Sequence, residues 1–232
     1  MLDGLIYNIR KCYRGSEYEV VIVEQNNDEP FKLGQVRNIG FKKSSGSTIA
    51  IIDADIRFIE KIDFEEMTGR MKRPFVPWSY LITIIEDDIK NPKITDEKLK
   101  RPGHGGCIVF KRSEFEQSNG YSNLLIGWGA EDGIISIRCP LTKLGMEIYH
   151  VKHKKQSGKF GVNSKATTHN QKMYNSDNKR DKMLDGYRQT IFDEVVVSES
   201  GTIKHYLVSN IRVPENFEYI DLYKDMKALE ND

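Results

Sequence analysis

The apolar run Thr48-Ile49-Ala50-Ile51-Ile52 ends in Asp53-Ala54-Asp55, and this junction constrains the chain more than any other stretch. A short apolar run without a charge reads as a strand covered on both faces. The two carboxylates stand two positions apart, so an extended backbone directs both to one side. Just past a strand end they can reach one hard cation, or one can hold the cation while the other meets a hydroxyl. The alternative is a turn carrying two solvated acids.

What precedes the junction suggests a sheet covered by helices. Leu2, Leu5, Ile6, Ile9 and Tyr13 recur at helical spacing and predict an amphipathic helix. Residues 18–23 are β-rich, residues 25–30 are turn-like, and Leu33, Val36, Arg37 and Gly40 mark a second helix. Helix, strand, helix, strand in succession argues for a parallel sheet. Ligands bind beyond the carboxyl ends of such strands, where Asp53 and Asp55 would lie.

Further along, residues 75–85 read as a strand interrupted at its start by Pro77, and residues 87–101 as a charged surface excursion. A short strand at 107–110 is entered through Gly105-Gly106. Ser113 with Glu116 predicts a capping box for a helix that stops at Gly120. Ile134, Ile137, Leu141 and Leu144 predict a helix ended by Gly145 and broken or kinked at Pro140. A short strand at 146–149 then leads to His150. Residues 152–182 are basic, rich in Ser and Asn and without apolar periodicity, which predicts a flexible active-site loop. Two β-rich runs around Ser200-Gly201 predict a hairpin within a C-terminal region, 190–232, of hairpin and tail. The expectation is one domain over residues 1–232.

The bulk properties exclude several classes. Lys+Arg 35 against Asp+Glu 34 leaves a net charge of +1, so no global field points to nucleic acid or acidic lipid. Cys12, Cys107 and Cys139 form neither a metal spacing nor an even disulfide set and read as reduced thiols. No apolar run approaches the length of a membrane span, and no basic-then-apolar leader opens the sequence, so the expectation is a soluble, cytoplasmic protein.

A second constellation is Gly127-Trp128-Gly129-Ala130-Glu131-Asp132. Gly127 and Gly129 let backbone approach a ligand closely, and Trp128 can lie against a sugar ring. Glu131 and Asp132 stand at a helix start, where the dipole favours acids whether or not they do chemistry. His150 follows a strand and can complete a metal site begun by a carboxylate; His153, in a Lys-rich run, reads as solvated. Arg37 can face a phosphate or cap a carboxylate, and Lys159 and Lys165 can meet a pyrophosphate or simply be solvated.

Taken together and in order, these segments resemble the β-1,4-galactosyltransferase family of inverting GT-A glycosyltransferases. Residues 18–25 with Phe31 and Arg37-Asn38-Ile39-Gly40-Phe41 resemble its first strand-to-helix passage. Asp53-Ala54-Asp55 resembles its Asp-Val-Asp motif, and His104-Gly105-Gly106-Cys107 its Gly-Gly-Val segment. Asn119-Gly120-Tyr121-Ser122-Asn123 is similar to its Asn-Gly-Phe/Tyr-Ser-Asn run, and Gly127–Asp132 to its Trp-Gly-Gly-Glu-Asp signature. Asp185-Gly186-Tyr187 is similar to its C-terminal end.

The resemblance implies an α/β GT-A (Rossmann-like) fold with a mixed, mostly parallel sheet flanked by helices and without the usual first strand. It implies a metal-dependent, inverting transfer of a hexose, galactose or N-acetylgalactosamine, from a UDP-sugar to a hydroxyl of a glycan acceptor. Asp55 and His150 would bind Mn²⁺ or Mg²⁺, Asp53 the nucleotide, and Gly105 and Gly106 the donor sugar. Trp128, Gly129 and Glu131 would hold donor and acceptor, and Asp132 would be the base. Another donor, glucose or N-acetylglucosamine, is the nearest alternative; a non-catalytic nucleotide-sugar-binding module is the other. The chain departs from the family at Leu33, where an arginine is usual, at Glu147, where animal members place a methionine ligand, and at Gly103, near an aromatic that helps select the donor.

Overall fold

The computed structural model of the protein describes residues 1–15, 17–27, 29–85, 93–95, 99–100, 103–153, 165–176 and 185–213. In chain order its elements are α1 (Leu2–Cys12), β1 (Val20–Gln25), α2 (Leu33–Lys43), β2 (Thr48–Ile52), β3 (Ile56–Phe58), α3 (Phe64–Arg70), β4 (Phe75–Ile85), β5 (Lys93–Ile94), β6 (Leu99–Lys100) and β7 (Cys107–Lys111). There follow α4 (Arg112–Ser118), α5 (Glu131–Arg138), β8 (Thr142–Val151), α6 (Lys165–Ser176), a 3-10 turn at Tyr187–Gln189, β9 (Ile191–Ser200) and β10 (Ile203–Arg212). The chain divides into two compact units. One comprises Met1–Glu17, Ser47–Glu114 and Pro140–Lys154; the other comprises Tyr18–Gly46, Phe115–Cys139 and Lys155–Asp232.

The first unit is built on a 7-stranded sheet ordered β2-β7-β4-β8-β3, with β5 and β6 paired to β4. Phe75, Val76 and Trp78 of β4, Ile108, Val109 and Phe110 of β7 and Ile148 of β8 are buried, which accounts for the apolar runs of these strands. Pro77 is accommodated where the β4–β8 register shifts between Val76 and Trp78, a position that needs no ladder donor. At the β3 edge, α1 is pinned by Asn8. Its amide donates to Phe58 O at 3.0 Å, and its carbonyl accepts from Phe58 N at 2.7 Å. The Asp63 side chain caps α3 by accepting from Glu66 N.

The second unit carries a 3-stranded sheet, β1-β10-β9. The hairpin expected around Ser200-Gly201 is present as antiparallel β9 and β10. Val36 and Ile39 of α2 pack with Tyr206, Val208 and Ile211 of the β10 segment. Leu124, Leu125, Ile134, Met173 and Val213 form a second cluster that includes residues of α5 and α6. A buried polar brace organises the Asn119–Asn123 run. Asp185 accepts from Ser122 Oγ at 2.5 Å and Asn123 N at 2.8 Å, and pairs with Arg138 at 3.0 Å. Asn38 donates to Tyr121 O and accepts from Tyr121 N.

Several expectations are corrected. The sheets are mixed, but they are not mostly parallel: among the described strand-to-strand pairings β1–β10 and β4–β8 run parallel and the others antiparallel. The helix–strand–helix–strand start does not build one parallel sheet either, because β1 and β2 belong to different sheets. The helix expected to run past Pro140 stops at Arg138 with Cys139 extended. Proline cannot supply the next helical N–H, and Thr142 N instead bonds Pro74 O at 2.9 Å to open β8. Leu144 therefore lies in a strand, and the short strand expected at 146–149 is the middle of a longer one. At α4 the capping carboxylate is Glu114, which accepts from Lys111 N at 2.7 Å, so the cap sits earlier than the Ser113–Glu116 pairing implied. Within the stretch 152–182, residues Lys165–Ser176 form α6 rather than loop. Its buried positions, Ala166, His169, Asn170 and Met173, are spaced for one helix face, but two of the four are polar and hid the periodicity. Residues 154–164, with Lys159, and the tail 214–232 lie outside the described residues. No helix among the described residues is long and apolar enough to cross a membrane.

Candidate functional site

In the first unit, Asp53, Ala54 and Asp55 occupy the turn between β2 and β3. Asp53 N donates to Gly106 O at 2.8 Å, Ile56 N closes the turn on Asp53 O at 3.1 Å, and Val151 N bonds Asp55 O at 2.8 Å. Arg57, buried two positions beyond Asp55, donates from Nη1 to Ala54 O at 2.8 Å and fixes the peptide between the two acids. Register does the rest. Ile56 opposes His150 across β3 and β8, so the strand brings that imidazole to the turn.

Asp55 Oδ2 lies 3.3 Å from His150 Nε2 and 2.9 Å from His153 Nε2. One donor atom from each of the three residues lies within 4.8 Å of the others. His153, expected to be solvated, is thus part of the cluster. Just after β8, Lys152 N bonds Ile84 O at 2.7 Å, which continues the parallel pairing with β4 one residue past the strand. Burial pushes the Asp55 carboxyl up, but hydrogen bonding to His150 and the charges of His150 and His153 outweigh it and hold the group below its ordinary value. An acidic oxygen with two imidazole nitrogens fits a first-row divalent cation, and the two nitrogens suit Mn²⁺ better than Mg²⁺, which prefers oxygen throughout.

Gly105 and Gly106 stand beside this turn. Besides the Asp53–Gly106 bond, Trp78 Nε1 donates to Gly105 O at 3.0 Å, and Lys143 Nζ donates to Gly103 O at 2.7 Å while lying 5.0 Å from the Trp78 ring centroid. A buried indole and a lysine therefore hold the glycine strap in place. The positions at Asp53, Asp55, Gly105 and Gly106 come together in one unit, as their order in the sequence implied.

The second unit holds the other constellation. Gly127, Gly129 and Ala130 have φ of 63°, 103° and 71°. For Ala130 this left-handed backbone costs about 1–2 kcal/mol. Gly127 N donates to Phe31 O at 2.8 Å. Trp128 is 49% exposed, with its indole turned out from the packed interior. Ala130 O accepts from Ile134 N, so α5 begins at Glu131 and both acids fall in its first turn. Arg37 Nη1 lies 3.1 Å from Asp132 Oδ1 and 4.0 Å from Glu131 Oε1, with its guanidinium 5.0 Å from the Tyr121 ring centroid. Arg37 thus makes the carboxylate contact, one of the two open to it. Lys165 is exposed at the start of α6.

Four residues escaped the sequence reading. Asn8, Arg57 and Trp78 support the first cluster. Asn170 supports the second: Nδ2 donates to the carbonyls of Ile126, Trp128 and Gly129, and Oδ1 accepts from Ile126 N. A signal existed only for Arg57, by its nearness to the acidic pair; the others are single polar or aromatic residues in helices and strands whose partners are distant in sequence.

The family model described as the N-terminal domain of galactosyltransferase matches residues 95–160, which include Gly105, Gly106, Trp128, Glu131, Asp132, His150 and His153. No curated protein matches the chain. Among solved structures, a Drosophila β-1,4-galactosyltransferase 7 mutant in complex with manganese, UDP-Gal and xylobiose is similar at 15% identity and a TM-score of 0.61, over 99% of this chain and 91% of that one. The catalytic domain of Drosophila β-1,4-galactosyltransferase 7 with xylobiose is similar at 15% identity and a TM-score of 0.51, over 92% and 88%. GalNAc-T7 with UDP, GalNAc and Mn²⁺ is similar at 14% identity and 0.53, over 73% of this chain and 44% of that one. The fold is therefore the mixed α/β fold of GT-A glycosyltransferases.

Proposed function

We propose that the protein is a metal-dependent, inverting glycosyltransferase of the galactosyltransferase type, taking a hexose from a UDP-sugar to a sugar hydroxyl of a glycan. The observation that carries this reading is the meeting of Asp55, His150 and His153 at the turn after β2, within a chain whose residues 95–160 match a galactosyltransferase family model. The fold neighbours are complexes with manganese and UDP-sugar or UDP, which supports the same chemistry here. Galactose and N-acetylgalactosamine are the donors favoured. The two compact units are read as one GT-A domain.

In this reading Asp55, His150 and His153 hold Mn²⁺, and Asp53 meets the ribose of the nucleotide. A cation so held supplies the positive charge that offsets the leaving diphosphate. Gly105 and Gly106, strapped by Trp78, line the donor sugar. Trp128 and Gly129 present an aromatic platform and a close backbone to the sugar rings, with Glu131 hydrogen-bonding a hydroxyl. Asp132 removes the proton of the attacking acceptor hydroxyl, and Arg37 keeps that carboxylate oriented.

The test is thermal-shift screening of nucleotide sugars with and without Mn²⁺, followed by product analysis. Stabilisation that needs both Mn²⁺ and one UDP-hexose, with transfer of that hexose and inversion at its anomeric carbon, is the expected result. Equal stabilisation with and without metal, or full transfer in excess EDTA, would overturn the reading.

A further inference from the structure

The loop that carries Trp128 has a backbone that does not hold itself. Ala130 sits in the left-handed region at φ 71°, between glycines at φ 63° and 103° and the first turn of α5. Strain of this kind persists only where the surroundings over-determine it. Here Gly127 N bonds Phe31 O, Ala130 O is tied into α5 by Ile134 N, and one side chain holds the carbonyls between them. Asn170, 1% exposed on α6, turns its amide onto this loop: the two Nδ2 protons are shared among Ile126 O at 2.8 Å, Trp128 O at 3.2 Å and Gly129 O at 3.1 Å, and Oδ1 accepts from Ile126 N at 3.1 Å. The carbonyls of two successive peptides, Trp128–Gly129 and Gly129–Ala130, are thereby held by the buried amide. The indole is left facing outward, 49% exposed, where a packed aromatic would otherwise be expected.

We propose that Asn170 is a positioning residue, a latch on α6 that holds the Trp128–Ala130 backbone in its strained form and so presents the indole, and with it the first turn of α5, to the acceptor sugar. The inference rests on the sugar-platform reading of Trp128. It also assigns α6 a duty, because docking of that helix and presentation of the platform become one event. His169, the adjacent residue, bonds Leu124 O at 2.9 Å, three residues before the loop that bears Trp128, and helps seat the helix.

The chain's two tryptophans report on this directly. Trp78 is 3% exposed, so acrylamide quenching of the native protein reads Trp128. Asn170→Ala is expected to change the quenching slope and emission maximum and to raise the acceptor KM about tenfold, since small displacements of positioning groups are costly. The Mn²⁺ requirement is expected to stay unchanged. Asn170→Asp, which keeps the shape but turns an acceptor toward three carbonyls, is expected to do the same and serves if the alanine variant fails to fold. Adding Ala130→Gly, which removes the left-handed penalty, is expected to restore part of both losses. His169→Ala is expected to leave the quenching slope as it was.

Unchanged quenching in both Asn170 variants would overturn the proposal. So would a His169→Ala change as large as that of Asn170→Ala, or a loss spread equally over acceptor, donor and metal. If the wild-type protein transfers no hexose, the functional reading falls, while the quenching arm still decides whether Asn170 holds Trp128 outward.

Discussion

His153 Nε2 lies 2.9 Å from Asp55 Oδ2, closer than His150 Nε2 at 3.3 Å. The histidine beyond the end of β8 is thus as much a part of the acidic turn as the one carried by the strand. Removing either imidazole is expected to weaken Mn²⁺ binding by at least about tenfold, the lower end of what loss of even a supporting residue costs a metal site. His205, paired with Glu24 on the other unit, is the control whose replacement should leave binding intact. A Mn²⁺ titration followed by electron paramagnetic resonance reads both. Normal binding in His153→Ala would remove that residue from the site.

Asp132 and Arg37 are separable by kinetics. Asp132→Asn should retain UDP-sugar and Mn²⁺ binding while transfer falls about a hundredfold or more, the range of a lost general base. Arg37→Ala removes the cation that lies beside both acids, with side-chain exposures of 7% for Arg37 and 21% for Asp132. It should cost about 3 kcal/mol of stability in urea melts, toward the low end for a broken buried pair because Asp132 is partly wet. A transfer rate preserved in Asp132→Asn would assign the base elsewhere.

The Arg138–Asp185 pair is deeply buried, at 2% and 0% side-chain exposure. Asp185 also receives Ser122 and Asn123, so its loss leaves the Arg138 guanidinium, still bonded to the Gly120 and residue-185 carbonyls, without its counter-charge and removes the acceptor of two further donors. Asp185→Ala is expected to destabilise by about 3–5 kcal/mol, seen as a lower urea midpoint. A change below about 1 kcal/mol, the range of an exposed pair, would contradict the brace described for the Asn119–Asn123 run.

Glu19 predicts an acid limb of stability. Burial raises its carboxyl, but Lys204 at 2.7 Å and the N–H and hydroxyl of Ser45 bind the ionised form and bring the pKa from 4.5 to about 2. The folded value is the lower one, so the contribution is complete above pH 4.5 and is lost as pH falls toward 2. Glu19→Gln should flatten this limb in melts taken between those pH values and leave the alkaline side unaltered. An identical acid limb in the variant would assign it to other carboxylates.

Much of the local architecture was legible before any coordinates. The 3.6-residue recurrence of Leu2, Leu5, Ile6 and Ile9 became α1, and the apolar run from Thr48 became β2 with its acids in the turn beyond. The hairpin around Ser200-Gly201 was equally plain. These signals are local: a periodicity, a breaker, a short run. Sheet direction was not local. The first residues of β8 carry helical spacing because Leu141 and Leu144 continue that of α5, and only Pro140 and the parallel partner β4 override it.

By itself the amino-acid order determined the chemical stock of the site: which carboxylates, imidazoles, glycines and aromatic lie beside strand ends and helix starts. The tertiary structure alone decided which of them meet. His153 joined Asp55 because the pairing with β4 holds the chain one residue beyond β8, Arg37 turned to Asp132 because α2 lies beside the start of α5, and Asn170 gained its role from a helix whose inward face is half polar. Periodicity and spacing describe neighbours along the chain, whereas a hydrogen bond or a ligand set is closed by groups that folding brings together from far apart in it.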